Sequence, residues 1–121
     1  MKVNKKSFDF LAFKVEVWLT DSAPKGFRDE ALAGVFHHEA NSPIFKIWFK
    51  KTVTTNSLVH ECWHLFMTIL SAMDCTPHYF DELNSEIYAY SFHSLTQNVL
   101  ETATSMKAYS LYYYEEEKKE K

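Results

Sequence analysis

Residues 57–74 read SLVHECWHLFMTILSAMD, and their apolar side chains recur with the period of an α-helix. A suitable N-cap, Thr55 or Asn56, stands before the segment, and residues 75–77 end it. At about 100° per residue, one broad side of this helix is apolar. That side carries Leu58, Cys62, Leu65, Phe66, Ile69 and Met73, with Val59, Trp63 and Leu70 extending it. We expect this side to pack on a core.

The opposite stripe of the same helix is polar but almost without charge. It carries Ser57, His60, Glu61, His64, Thr68 and Ser71. Glu61 is the only Asp, Glu, Lys or Arg between Val53 and Met73, whereas a solvated helix face normally carries several. The stripe is therefore expected to face something other than bulk water.

The residues His60-Glu61-Cys62-Trp63-His64 form an HExxH motif. Residues four apart stack on one helix face, so both imidazoles can reach one metal ion. The glutamate then lies beside a metal-bound water rather than on the metal, where it can act as a general base. We therefore expect His60 and His64 to bind Zn²⁺ and Glu61 to be the catalytic base. Cys62 lies on the apolar side and is not counted as a ligand or nucleophile.

A second helical pattern, from about residue 81 to 106, supplies a third ligand. Its polar stripe carries Asn84, Ser91 and Asn98. Glu86 falls roughly opposite that stripe, among apolar residues, and a carboxylate that points inward is costly unless it is paired or metal-bound. Glu86 is therefore the favoured third ligand. His78, in the connection just before this helix, is its rival.

Five further positions are candidates for supporting roles. Glu82 lies one turn before the favoured ligand, where it can hydrogen-bond to a ligand or act as a favourable charge at the helix N-terminus. Tyr90 and His93 are candidates for stabilising a transition state or orienting a ligand. The pair His37 and His38 could serve the same purpose, but an exposed pair in a hairpin is the favoured interpretation.

The first half of the chain predicts three β-strands. Residues 13–19 (FKVEVWL) alternate between apolar and polar side chains, which is typical of a strand with one buried face. Residues 31–38 (ALAGVFHH) are a weaker candidate, because alanine and glycine are poor strand formers. Residues 44–49 (IFKIWF) are the third, and the turn signal at 41–43 (NSP) predicts a hairpin between the last two.

Strands followed by helices indicate an α+β fold in one domain over residues 1–121. We expect a small antiparallel or mixed sheet of about three strands followed by two long helices. Lys50 and Lys51 suit an exposed edge for the strand over residues 44–49. Residues 1–9 and the charged run 115–121 (EEEKKEK) are expected to be flexible.

Composition excludes several classes of function. Two glycines, Gly26 and Gly34, are too few for a phosphate-binding loop or a dinucleotide fingerprint. A formal net charge of −3 argues against a broad nucleic-acid surface, and no apolar run is long enough to span a membrane. Two cysteines make no disulfide framework, so the expected compartment is the cytosol, or the host cytosol for a viral protein.

The stretches SLVHECWHLF and SEIYAYSF together resemble the small zincin-type metallopeptidases of phages and other mobile elements. These proteins share an HExxH helix and a downstream ExxA helix, as do the repressor-cleaving peptidases of the ImmA/IrrE type. The matching residues here are His60, Glu61 and His64, then Glu86 to Ala89. The glycine-bearing extension of the metzincins is absent, and His78 weakly resembles the later histidine ligand of SprT-like zincins.

This resemblance implies Zn²⁺ held by His60, His64 and Glu86, with Glu61 as the base that activates water against a peptide carbonyl. It also implies a peptide or protein substrate, held as an added strand along a sheet edge formed by residues 44–49. The alternative is a non-catalytic binding or inhibitory protein of zincin fold, viral in origin, with a structural or vestigial zinc site. An open coordination position would separate the enzyme from this alternative.

Overall fold

Strands come first and helices second, so the fold is α+β as the sequence predicts. The computed structural model describes residues 1–74, 82–106 and 109–110, with side chains for 1–74 and 86–106. The elements are β1 (Val3–Phe10), β2 (Phe13–Thr20), β3 (Ala33–Val35), β4 (Ile44–Lys50), β5 (Val53–Thr54), α1 (Thr55–Ala72), α2 (Glu82–Ser105) and β6 (Tyr109–Ser110). The predictions for His78, for the Glu82 side chain and for residues 115–121 lie outside the described residues.

Four strands form a mixed sheet in the order β1-β2-β4-β3. β1 pairs antiparallel with β2, β2 pairs parallel with β4, and β3 pairs antiparallel with β4. The predicted hairpin is therefore present as β3 and β4, although only Ala33–Val35 of the candidate strand 31–38 pairs in the sheet. β5 and β6 form a separate short parallel pair.

Two expectations for the strands are wrong. Residues 3–9 of the arm expected at 1–9, together with Phe10, form β1, because they pair in antiparallel register with β2 and Phe10 is buried. A lysine of this segment contacts the neighbouring strand: the Lys5 Nζ atom is 4.6 Å from the ring centroid of Trp18 on β2. β4 was expected at an exposed edge, but it lies inside the sheet because β3 covers its other side. The edge strand next to α1 is β3.

One face of the sheet packs against both helices and forms the core. The buried side chains on this face are Val15 and Val17 of β2, Phe45, Ile47 and Phe49 of β4, Leu58, Cys62, Leu65, Phe66, Ile69 and Leu70 of α1, and Leu95, Val99 and Ala103 of α2. The predicted apolar side of α1 is thus confirmed over most of its length. Its margins, Val59, Trp63 and Met73, are exposed.

The start of α1 is fixed by a cap one residue earlier than expected. Thr54, not Thr55 or Asn56, is the N-cap, and its hydroxyl oxygen accepts a hydrogen bond of 3.2 Å from the backbone N–H of Ser57. Thr54 also ends β5, so the chain passes from strand to helix without a loop. The cap therefore sets where the first turn of α1 begins. The HExxH motif ends at His64, about two and a half turns later.

The second face of the sheet is covered near β3 by Phe27. Trp48 of β4 is fully buried there, with its ring centroid 5.1 Å from that of Phe27. Gly34 of β3 lies directly beneath both rings: a Cβ atom at this position would be 2.7 Å from Trp48 Nε1 and 2.8 Å from Phe27 Cε1. Only a residue without a side chain fits between the strand and these rings.

We expect Gly34→Ala to lower the free energy of unfolding by about 1–3 kcal/mol, because two packed rings must move to admit one methyl group. Urea denaturation monitored by tryptophan fluorescence measures the change. Ala40→Ser, in the exposed turn before β4, is the control and should stay within about 0.5 kcal/mol of the wild-type protein. An unfolding midpoint for Gly34→Ala equal to that of the control would show that this close approach is not a constraint.

Candidate metal centre

The two histidines of the HExxH motif lie side by side on α1. Their Nε2 atoms are 3.2 Å apart, and their ring centroids are 4.8 Å apart at an interplanar angle of 76°. One helical turn separates the residues, so the rings project from the same face of the helix. The side chain of His60 is 68% exposed, which leaves its nitrogen accessible.

The separation of the two Nε2 atoms fits shared coordination of one metal ion. Two nitrogens bound about 2.05 Å from a tetrahedral zinc ion lie about 3.3 Å from each other. The observed 3.2 Å agrees with that value. The same distance also suits a hydrogen bond between two neutral imidazoles, one of which donates. The spacing of the two nitrogens is therefore compatible both with shared coordination of one ion and with a hydrogen bond between the rings.

Glu61 lies beside this pair in a more protected position. Its Oε2 atom is 3.9 Å from His60 Nε2, and its side chain is 13% exposed. Burial raises the pKa of the Glu61 carboxyl above its ordinary value, and the nearby imidazoles of His60 and His64 lower it in part. A carboxylate with a raised pKa accepts a proton more readily, which suits a general base near neutral pH.

Glu61 and His64 open onto a cleft of about 720 Å³ between α1 and the segment that contains β3. The other lining residues are Phe27, Gly34, Val35, Phe36, His37, His38, Met67, Thr68, Ser71 and Ala72. Thr68 and Ser71 belong to the polar stripe predicted for the helix. Within the stripe, Glu61 and Thr68 are partly buried beside this cleft, whereas His64 and Ser71 are exposed, so the expectation that the stripe faces something other than bulk water holds for the first two alone.

The outer edge of β3 presents unpaired backbone groups beside this cleft. The Phe36 N–H donates to the Lys46 carbonyl, and the Lys50 N–H donates to the Leu32 carbonyl, both at 2.9 Å. In an antiparallel pair, alternate residues direct both backbone groups toward the partner strand or away from it. Ala33 and Val35 therefore direct their N–H and carbonyl groups away from β4. Among the described strands, β3 is the last on that side.

The structure does not bring Glu86 into the metal centre. Within residues 1–74 and 86–106, no group of three histidine, cysteine, aspartate or glutamate side chains is arranged to hold a metal ion. Glu86 was expected to point inward, but it is exposed. The helical pattern placed Glu86 on an apolar side of α2, whereas among the described side chains, from residue 86 on, the fully buried positions begin at Leu95. Tyr90 and His93 are also exposed and do not line the cleft.

Two further histidines, His37 and His38, line the cleft, whereas the favoured interpretation of the sequence was an exposed pair in a hairpin. His38 is held in place: its Nε2 is 2.8 Å from the Ser42 carbonyl oxygen, and its ring stacks on Phe45 with centroids 3.9 Å apart. His37 is exposed and makes no hydrogen bond within the described residues. Their position directly after a strand was the available signal, since residues that follow an edge strand often line a cleft.

No protein-family model, curated protein or solved structure matches this chain. Among the described residues, neither helix combines the length and apolar character needed to cross a membrane. The geometry of α1 and β3 is therefore the basis for any assignment of function.

Cys62 lies inside the motif but takes no part in the site. Its side chain is fully buried in the core, and burial raises the pKa of its thiol to about 12. The reactive form of cysteine is the thiolate, which is scarce at neutral pH when the pKa is so high. Cys62 is therefore neither a ligand nor a nucleophile, as the helical pattern predicts.

We expect Cys62 to resist alkylation by iodoacetamide at pH 8 in the folded protein and to react readily in urea. Peptide mapping by mass spectrometry assigns the label to Cys62 and follows its rate. A reduction in rate of at least about a hundredfold is expected, because both burial and the raised pKa oppose reaction. Equal rates in folded and unfolded protein would mean that the Cys62 thiol is accessible to the reagent in the folded protein.

Proposed function

We propose that the protein is a zinc-dependent peptidase in which Glu61 activates the attacking water. The observation that carries this proposal is the group on α1: two Nε2 atoms 3.2 Å apart with a largely buried carboxylate 3.9 Å from one of them. His60 and His64 would hold the zinc ion, which would supply a Lewis acid and lower the pKa of a water to about 7. Glu61 would accept a proton from the attacking water and return it to the leaving amine.

The substrate in this proposal is an extended peptide paired with β3. The unpaired backbone groups of Ala33 and Val35 can hydrogen-bond with a peptide as a neighbouring strand would. This edge borders the cleft onto which Glu61 and His64 open. The peptide therefore takes the role expected at the edge of the sheet, but on β3 rather than on residues 44–49.

We expect zinc binding to require both motif histidines. The wild-type protein should bind one equivalent of Zn²⁺ by elemental analysis, and His60→Ala and His64→Ala should each lose most of it, because two protein ligands become one. His93→Ala is the matched control, an exposed histidine on α2 outside the cleft, and should keep full stoichiometry. Full zinc content in both motif variants would contradict this metal site.

The third ligand remains a choice between two residues, and the same measurement separates them. The pattern of the sequence favours Glu86 with His78 as its rival, but because Glu86 is exposed and does not join His60 and His64, we propose His78. If Glu86 is the ligand, Glu86→Ala should lower zinc affinity at least about tenfold while His78→Ala does not. The reverse result would assign the ligand to His78.

Glu61→Gln should keep zinc and lose peptide hydrolysis, because the amide cannot accept the proton from water. Cleavage of a peptide mixture, followed by mass spectrometry, should fall by at least about a hundredfold. His93→Ala again provides the control and should cleave at the wild-type rate. Retained turnover in Glu61→Gln, with zinc bound, would remove Glu61 from the mechanism.

A second candidate function is a non-catalytic binding or inhibitory protein. It is favoured by one observation: among the described side chains, no group of three potential ligands is arranged to hold a metal ion. Such a protein would bind peptide at β3 without cleaving it. Zinc bound with no cleavage by the wild-type protein, across a broad peptide mixture, would favour this function over the peptidase.

A further inference from the structure

A second cavity, of about 790 Å³, adjoins the cleft and shares a wall with it. The shared wall consists of Phe27 and residues 35–38. The remaining lining residues are Lys25, Gly26, Glu39, Ser42, Ile44, Phe45 and Lys46. The cleft is lined by Glu61 and His64 of the candidate metal centre. The second cavity is lined instead by charged residues and by two aromatic rings of the shared wall, Phe27 and Phe36, whose centroids are 5.5 Å apart.

The charge of this cavity is predominantly positive. Lys25 and Lys46 both line it, and neither takes part in an ion pair within the described residues. The Lys46 Nζ atom lies 5.8 Å from the ring centroid of Trp18. Glu16, the cross-strand neighbour of Lys46, accepts a hydrogen bond from the Trp18 indole N–H and forms no ion pair with Lys46. Glu39 is the only acidic lining residue and is exposed. Two lysines on an aromatic wall favour an anionic guest.

A strand added to β3 would direct side chains into both cavities. Successive side chains of a strand point to opposite faces of the sheet. Phe36 is the residue after β3, and its backbone N–H donates to the carbonyl of Lys46 on β4. The side chains of both residues therefore lie on the same face of the sheet, opposite the helices. A peptide paired with Ala33 and Val35 thus presents every second side chain to α1 and the alternate ones to the face where Phe36 and Lys46 lie.

We propose that the cavity of Lys25, Phe36 and Lys46 is a subsite for acidic side chains at alternate positions of an extended peptide. The proposal rests on the strand-like peptide binding of the proposed function and adds the chemistry of the substrate. The carboxylate is held by the two ammonium groups, and its methylene stem packs on the Phe27 and Phe36 rings. The preferred substrate is therefore a peptide with Asp or Glu at every second residue near the bond that is cleaved.

Binding of three labelled peptides to full-length Glu61→Gln protein tests this subsite without interference from hydrolysis. One peptide alternates Glu and Thr, the second alternates Gln and Thr, and the third has the composition of the first but groups its residues as Glu-Glu-Thr-Thr. Fluorescence anisotropy should show the alternating Glu peptide binding about tenfold more tightly than the Gln peptide. The grouped peptide should bind more weakly than the alternating one, because fewer of its carboxylates share a face.

Charge reversal assigns the preference to the cavity. Lys25→Glu/Lys46→Glu should remove the preference for Glu over Gln. Lys2→Glu/Lys51→Glu changes the net charge equally at exposed lysines outside the cavity, and should keep the preference. Equal binding of the Glu and Gln peptides to Glu61→Gln protein, or a preference that survives Lys25→Glu/Lys46→Glu, overturns the subsite.

The same measurements keep the subsite separate from the proposed function. If the wild-type protein binds zinc and cleaves peptides without acidic preference, the peptidase stands and the subsite is overturned. If the acidic preference is present and depends on Lys25 and Lys46, but no zinc is bound, the subsite stands and the peptidase is overturned. A periodic preference for acidic residues among cleaved peptides, lost in Lys25→Glu/Lys46→Glu, supports both.

Discussion

The packing of α1 on the sheet is the contact on which the rest of the site depends. Leu65, Phe66 and Ile69 are buried against the strands, and burial of each large apolar side chain contributes about 1.5–3 kcal/mol. Because these residues fix the rotation of the helix about its axis, they also fix the direction of the opposite stripe. Glu61 and His64 consequently lie on the side of α1 that borders the edge strand β3, with Glu61 largely buried and His64 exposed.

The parts of the site that depend on one helix were predictable, and the parts that depend on tertiary packing were not. The relation of His60 to His64 follows from helical geometry alone, and their Nε2 atoms lie 3.2 Å apart, as two ligands of one ion would. The orientation of Glu86 required α2 to be packed along its whole length. Because the fully buried positions among the described side chains of that helix begin at Leu95, Glu86 is exposed.

In the sheet, too, β2 and β4 were predictable from local sequence, but the order of the strands was not. Alternating apolar residues identified β2 and β4, since each carries its own buried face. The position of a strand in the sheet depends on its partners, which lie elsewhere in the chain. β3 is only three residues long, yet it covers the side of β4 that the lysines at residues 50 and 51 suggested was exposed. Residues 3–10 lacked a clear apolar pattern of their own and form a strand by pairing with β2.

In the proposed peptidase, the arrangement of the two cavities around β3 would separate affinity from selectivity. Backbone hydrogen bonds to Ala33 and Val35 would hold any extended peptide, because they do not read side chains. On the α1 side, the cleft presents Glu61, His64 and small polar residues, groups suited to the reacting carbonyl rather than to a side chain. On the other side lie Lys25, Lys46 and the aromatic wall. Since a strand alternates between these two sides, discrimination by charge falls to the residues next to the reacting one, on the face away from the metal centre.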